Sequence, residues 1–316
     1  MNRWQLILAP YHAVQGLRNQ LYDRGVLPSH ALGRWTISVG NISFGGTGKT
    51  PLVIHLAERL RHRGHHPAIL LRGYRSTNGL SDEAALLQDK LPGIPVIADP
   101  DRIAGAAAAL KTQPPPDLFI LDDAFQHRRA QRDVNVVLLN AGRHTQQLLR
   151  ESPSALRRAT AIVLTHASQT ASLATIESEV RRFNASAPVL HCDHVLLSLL
   201  DAANAEFPMT ELANRRFIIA TAIGDAASFS ASIEKYAKPL AHMTLSDHHP
   251  FDAPTVAQIQ NLAKSHAAET IVVTEKDWTK LARHPAGRIP ILRVRLGLHF
   301  FPGDDDKLLD IVRPKH

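Results

Sequence analysis

Short, wholly apolar runs alternate along this chain with longer stretches whose apolar residues recur every three or four positions. Trp35 to Val39, Pro67 to Leu71, Ile94 to Ala98, Leu118 to Leu121, Val134 to Leu139 and Ala161 to Leu164 are strand-length runs. Runs without polar alternation predict strands buried on both faces, as in a parallel sheet. Leu52, Val53, Leu56 and Leu60 then carry helical spacing directly after the first run. Ser81 reads as the N-cap of a second helix, with Asp82 and Glu83 in its first turn. Asp101 to Lys111 reads as a third, stopped by Gln113-Pro114-Pro115-Pro116. Beyond residue 200 the alternation resumes. Phe217 to Ala220, Thr270 to Thr274 and Ile291 to Leu296 read as strands, and Ala226 to Lys235, Val256 to His266 and Lys307 to Val312 as helical. The pattern predicts an α/β protein with a parallel sheet over residues 31–200 and a second, smaller α/β lobe over 201–316.

Residues 1–30 stand apart. Trp4, Ile7, Tyr11, Val14, Leu17 and Leu21 form a stripe, with Arg3, Arg18 and Arg24 off it. Pro10 kinks one helix or opens a second. The stripe suits a helix docked on the protein's own core, or one lying on an anionic membrane with Trp4 and Tyr11 at headgroup depth.

Composition narrows the classes. The chain has 316 residues, 44% of them apolar, which is enough for two cores. No apolar run approaches the ~18 residues that a membrane span needs. The net charge of +7 favours an anionic partner. Aromatics are only 5%, and no basic run has aromatics interleaved for base stacking, so nucleic acid is not the expected partner. The single cysteine, Cys192, excludes an intrachain disulfide and a Cys-rich zinc site, and fits a reducing cytoplasm.

The chemistry concentrates after the first strand. Gly45, Gly46, Thr47, Gly48, Lys49 and Thr50 lie between that strand and a helix. Glycines let backbone N–H groups turn toward a polyphosphate, Lys49 reaches the terminal phosphates, and the Thr50 hydroxyl suits Mg²⁺. The helix N-terminus adds positive potential. Ser43 stands where the strict phosphate-loop pattern has glycine. Downstream, an apolar strand ends in Asp122-Asp123, the form of a Mg²⁺-holding carboxylate. The second predicted strand delivers Arg72 to the sheet edge where ligands bind. A guanine-reading Asn-Lys-x-Asp is absent at Thr165-His166-Ala167-Ser168, which argues for ATP. Asp247-His248-His249 reads as a turn with surface histidines, or as a proton-transfer pair if it faces the cradle.

These residues together resemble the tetraacyldisaccharide 4′-kinases of lipid A biosynthesis. The resemblance rests on Val39 to Ser43 with Gly45 to Pro51, Arg72-Gly73-Tyr74, Asp82-Glu83 and Asp101-Arg102. It continues through Leu121 to Arg129, Arg132-Asp133, Asp247-His248-His249 and Thr274 to Asp277. In that family Ser43 is ordinary. The chain departs from the family pattern at Ser81, Ala84, Ala124 and across residues 140–150. The resemblance implies two RecA-like lobes joined by a strand linker, the P-loop NTPase fold in the first of them, and ATP with Mg²⁺ as cofactors. It also implies a lipid disaccharide substrate and a peripheral place on the cytoplasmic face of the inner membrane, with residues 1–30 as the attaching segment. No obligate protein partner is inferred. By the same resemblance Asp82 and His248 join Lys49 as catalytic residues. Thr50, Asp122, Asp123 and Glu151 are the metal candidates, and Arg72, Tyr74, Arg128 and Arg129 the substrate candidates. Two other classes stay open on sequence: a switch-type P-loop NTPase such as a GTP-dependent metal-insertion factor, and a non-catalytic basic protein for nucleic acid.

Overall fold

A computed structural model describes residues 14–44, 46–73, 82–146, 149–247, 249–285 and 287–315, with backbone alone for 144–146. Gly45, Tyr74, Ser81 and His248 lie outside the described residues, as does 1–13 of the expected attaching segment. The chain divides into two compact units. One comprises residues up to His194 together with those from Leu298, and the other is Val195–Gly297.

In the first unit seven strands pair in parallel in the order β7-β6-β5-β1-β4-β2-β3. They are β1 Trp35–Asn41, β2 Pro67–Leu71, β3 Val96–Ala98, β4 Leu118–Asp122, β5 Val134–Asn140, β6 Ala161–Thr165 and β7 Val189–Leu200. The apolar runs are buried end to end in β2, β4 and β6. Alternate residues serve opposite faces. Ile69, Leu71 and Ile120 join the core under α1, Lys49–His62, with its buried Leu52, Val53, Leu56 and Leu60. Ala68, Leu70, Phe119 and Leu121 join Ala106 and Ala109 of α3, Arg102–Ala109. Asp101 caps α3 by accepting from the Ile103 N–H. Between these helices lies α2, Asp82–Lys90.

The chain visits β2, β3 and β4 on one side of β1, and then β5, β6 and β7 on the other. The crevice at the C-terminal end of β1 is therefore the topological switch point where ligands of open α/β sheets bind. Gly40 brings β1 against the following segment. A Cβ there would lie 2.6 Å from the Phe125 Cβ, so only glycine admits the approach.

The stretch between β6 and β7 forms α4, Leu173–Phe183, in which Leu173, Ile176, Val180 and Phe183 recur at helical spacing, a helix beyond those expected above. The last helix, α8 (Asp304–Val312), belongs to the first unit, where the sequence pattern had carried the second lobe on to 316. Leu308, Leu309 and Val312 enter the α1 core, and Trp35 Nε1 donates to the Val312 carbonyl at 2.8 Å.

The second unit has the parallel order β10-β9-β11-β12, with β9 Phe217–Thr221, β10 His242–Thr244, β11 Thr270–Thr274 and β12 Ile291–Phe300. A short β8, Glu206–Pro208, pairs antiparallel with the end of β7. The helices α5 (Ala226–Glu234), α6 (Ala253–Ser265) and α7 (Glu275–Leu281) complete it. Strands β7 and β12 carry the chain from one unit to the other.

Candidate functional site

The cradle is built by a glycine in a conformation that other residues resist. Gly48 has φ +85° and sits at the N-cap of α1. It makes the turn that opens the first helical N–H groups toward the crevice. The cradle is braced from three sides. Asn41 Nδ2 donates to Thr47 Oγ1 at 3.0 Å, Gln126 Nε2 donates to the Asn41 carbonyl at 2.7 Å, and Thr165 Oγ1 donates to the Thr47 carbonyl at 3.2 Å. Gly46, Thr47, Lys49 and Thr50 take the positions that the sequence motif predicts, at the start of α1.

Two aspartates end β4 beside it. Lys49 Nζ lies 3.3 Å from Asp123 Oδ1, and Arg150 Nη1 contacts both oxygens of Asp123 at 3.0 and 3.2 Å. Burial raises the Asp123 pKa, but Lys49 and Arg150 outweigh it and leave the group below its usual value. Its backbone is left-handed, with φ +48°. Asp122 is 6% exposed, and its Oδ1 is buried without a hydrogen-bond partner. Burial pushes its carboxyl up to about 6, against the pull of Lys49. Beneath it lies Arg102, 2% exposed, whose guanidinium donates to the Asp99 and Asp122 carbonyls at 2.7 and 3.3 Å. Asp82 opens α2, and Arg72 follows β2, both at the same C-terminal edge of the sheet.

Two candidates are spoken for elsewhere. Glu151 is 2% exposed. Arg158 Nη2 contacts both its oxygens at 2.8 and 3.0 Å, and Asn19 Nδ2 donates to one at 2.7 Å. These contacts tie the Glu151 carboxylate to Arg158 and to the helix over residues 14–23. Arg128 is likewise committed. It pairs with Asp23 at 2.7 Å, donates to the Asn19 carbonyl at 2.8 Å and stacks on Tyr22 at 5.2 Å. Both hold down the helix over residues 14–23. Arg129 is half exposed and pairs with Asp101 at 3.1 Å. The sequence points to Glu151, and its neighbour Arg150 is the residue that reaches Asp123. The signal was adjacency alone.

In the second unit, the loop after β10 is held by two lysines of α7. Lys276 Nζ lies 3.4 Å from Asp247, and Lys280 Nζ donates to the His249 carbonyl at 3.0 Å. The Phe251 N–H donates to His249 Nδ1 at 3.0 Å, which leaves that nitrogen unprotonated. Asp277 is fully buried. It accepts from Thr221, Thr274 and the Ala222 N–H, and burial leads its raised pKa.

Comparison with known proteins follows the same outline. The family model described as LpxK, tetraacyldisaccharide-1-P 4′-kinase, matches residues 4–313. A tetraacyldisaccharide 4′-kinase of Anaeromyxobacter dehalogenans (strain 2CP-C) is 35% identical over 90% of this chain and 84% of its own. One from Syntrophus aciditrophicus (strain SB) is 36% identical over 84% and 80%. Among solved structures, LpxK from Aquifex aeolicus in complex with ATP superposes with a TM-score of 0.76 at 29% identity, covering 98% of each chain.

Proposed function

The chain belongs to the tetraacyldisaccharide 4′-kinase family, and from that premise we infer how its residues carry the transfer. The reaction moves the γ-phosphoryl group of ATP to the 4′-hydroxyl of a tetraacylated glucosamine disaccharide 1-phosphate, a step of lipid A biosynthesis. The observation that carries the residue assignment is the Asp122–Asp123 pair facing Lys49 at the mouth of the cradle.

The donors present fit Mg²⁺. Asp122 offers a buried oxygen without a protein partner, and Thr50 offers a hydroxyl from the first turn of α1. When bound, the metal neutralises charge on the β- and γ-phosphate oxygens. The chain's own residues do the rest. Amides at Gly46 and Gly48 hold the phosphates. Lys49 exchanges its contact with Asp123 for the γ-phosphate, and stabilises the charge that builds there. Arg150 keeps Asp123 in place during that exchange. Asp82, by the family resemblance, takes the proton of the attacking hydroxyl. His248 is its companion by the same resemblance. The engagement of His249 Nδ1 by a backbone N–H favours His248 over its neighbour. Arg72 and Arg129 are assigned to the 1-phosphate of the lipid.

Attachment to the cytoplasmic face of the inner membrane belongs to the same reading, and the exposed apolar residues of the described N-terminal segment support the membrane contact in it. The helix over 14–23 docks through Arg18, Asn19, Tyr22 and Asp23, leaving Val14 and Leu17 65% and 60% exposed. No helix among the described residues is long and apolar enough to cross a membrane.

The test separates binding from proton transfer. Asp82→Asn should keep Mg²⁺-ATP affinity and lose lipid phosphorylation, whereas Lys49→Ala should lose both. Phosphorylation by Asp82→Asn at the wild-type rate would remove Asp82 from the mechanism.

A further inference from the structure

A cavity of about 220 Å³ has no part in the chemistry described so far. Three arginines line it, Arg128, Arg132 and Arg158, together with Ser29, Gln131 and Asn135, and no carboxylate among the described residues does. It belongs to the N-terminal edge of the sheet, away from the cradle. Asn135 is the second residue of β5, and Arg158 lies shortly ahead of β6. From Asn135 to Asn140, at the other end of β5, the strand rises about 16 Å.

The positive charge here exceeds what the carboxylates around it can balance. Asp23 is shared between Arg128 and Arg157, each at 2.7 Å, and Glu151 is taken by Arg158 at 2.8 Å. Among the described residues Arg132 has neutral partners alone. It donates to Asn135 Oδ1 at 2.9 Å and to the carbonyls of Phe125, His127 and Ala130 at 3.0, 2.6 and 3.2 Å. Burial, then Arg158 and Arg128, push its guanidinium down to about 10, so it stays charged at neutral pH but uncompensated. The arginines are also held in place before any ligand arrives. Arg158 stacks over Phe125 at 4.4 Å and Arg128 over Tyr22 at 5.2 Å. Arg158 spends Nη2 on Glu151, and Arg128 spends Nη1 on Asp23 and the Asn19 carbonyl. The other terminal nitrogen of each has no partner among the described residues and is open to solvent. Asn135 accepts from Arg132 through Oδ1, which leaves its Nδ2 as a donor. Fixed forks of N–H donors with unbalanced charge match a tetrahedral oxyanion.

We propose that this cavity is a second anion site, separate from the cradle, in which Arg128, Arg132 and Arg158 hold a phosphate group, as the free ion or as the headgroup phosphate of a lipid. The proposal goes beyond the kinase reading and stands whether or not the cradle transfers phosphate. An anion seated there also bears on the helix over 14–23, because Arg128 and Arg158 are the residues that fasten it through Asp23, Asn19 and Glu151.

The probes are inorganic phosphate and dihexanoylphosphatidylglycerol below its micellar concentration, each titrated into the full chain by calorimetry. Gln131 is an exposed lining residue, so Gln131→Glu adds a carboxylate to the cavity without removing a packed group. At least one probe should bind wild type, and Gln131→Glu should weaken it about tenfold, with kcat and the KM values for ATP and lipid held within about twofold. The tighter probe identifies the source of the phosphate. Wild-type protein gives a reading that does not depend on the variant folding, because the Nε–H resonances of Arg128 and Arg132 should shift with that probe. Phosphate held by the cradle alone would leave those resonances still and the two affinities equal, and either result with both probes overturns the proposal. A raised lipid KM in Gln131→Glu would overturn it too, by making the cavity part of the transfer site.

Discussion

At the residue scale, the site works by giving two adjacent carboxylates different environments. Asp123 is held below its ordinary value by Lys49 and Arg150, and so stays charged. Asp122 is raised to about 6 by burial. Between its unfolded value of 3.8 and about 6 the folded chain holds a proton that the unfolded chain has lost. Metal-free stability should therefore fall as pH rises across that interval. Mg²⁺ needs the ionised form, so its affinity should drop as pH falls through 6, approaching tenfold per pH unit. Titrating Mg²⁺ at pH 5 and 7.5 checks the slope, and Asp122→Asn should abolish it along with most of the binding. Lys49→Ala should cut kcat by about 10²–10³-fold, the usual loss of one preorganised charge at a reacting centre. The motif residues were legible because the phosphate cradle is local, with glycines, lysine and threonine in one short stretch. The fates of Glu151 and Arg128 were not. Their partners Asn19 and Asp23 lie more than a hundred positions away in the chain. Nothing in local spacing separates a carboxylate that binds metal from one that binds arginine.

At the element scale, the helix over 14–23 is fastened by charge rather than by its apolar stripe. Glu151 joins Asn19 to the buried Arg158, and Asp23 joins Arg128 to Arg157. Glu151→Ala leaves Arg158 buried and uncompensated, so thermal or denaturant unfolding should show a loss of about 3–5 kcal/mol. A metal-ligand role would instead leave stability intact and weaken Mg²⁺. Phe125 packs over Gly40 with its side chain fully buried. Phe125→Ala should cost about 3–5 kcal/mol by the same measurement. Strands β2 and β11 match their apolar runs end to end, because a strand buried on both faces needs no polar alternation to be recognised. Helix α8 was visible as a helix, but its unit was not. The residues that fix it, Trp35 and the buried leucines of α1, belong to distant parts of the chain.

At the scale of the whole molecule, a membrane-derived substrate has to meet a nucleotide site on a protein without a described spanning helix. Val14 and Leu17, exposed on a helix docked by its polar side, are the proposed point of that meeting. Val14→Glu with Leu17→Glu should reduce sedimentation with anionic vesicles severalfold and leave Mg²⁺-ATP binding unchanged. Unaltered sedimentation would place the membrane contact elsewhere. The α/β class and the phosphate cradle could be read directly from the chain. The division of labour at the Asp122–Asp123 pair needed the folded arrangement. The most direct test of the account is transfer of γ-labelled phosphate from ATP to the tetraacylated disaccharide 1-phosphate. Wild type should place Mg²⁺-dependent label at the 4′ position, and Lys49→Ala should place about 10²–10³-fold less. An unlabelled lipid with active wild-type protein, or label at another hydroxyl, would contradict it.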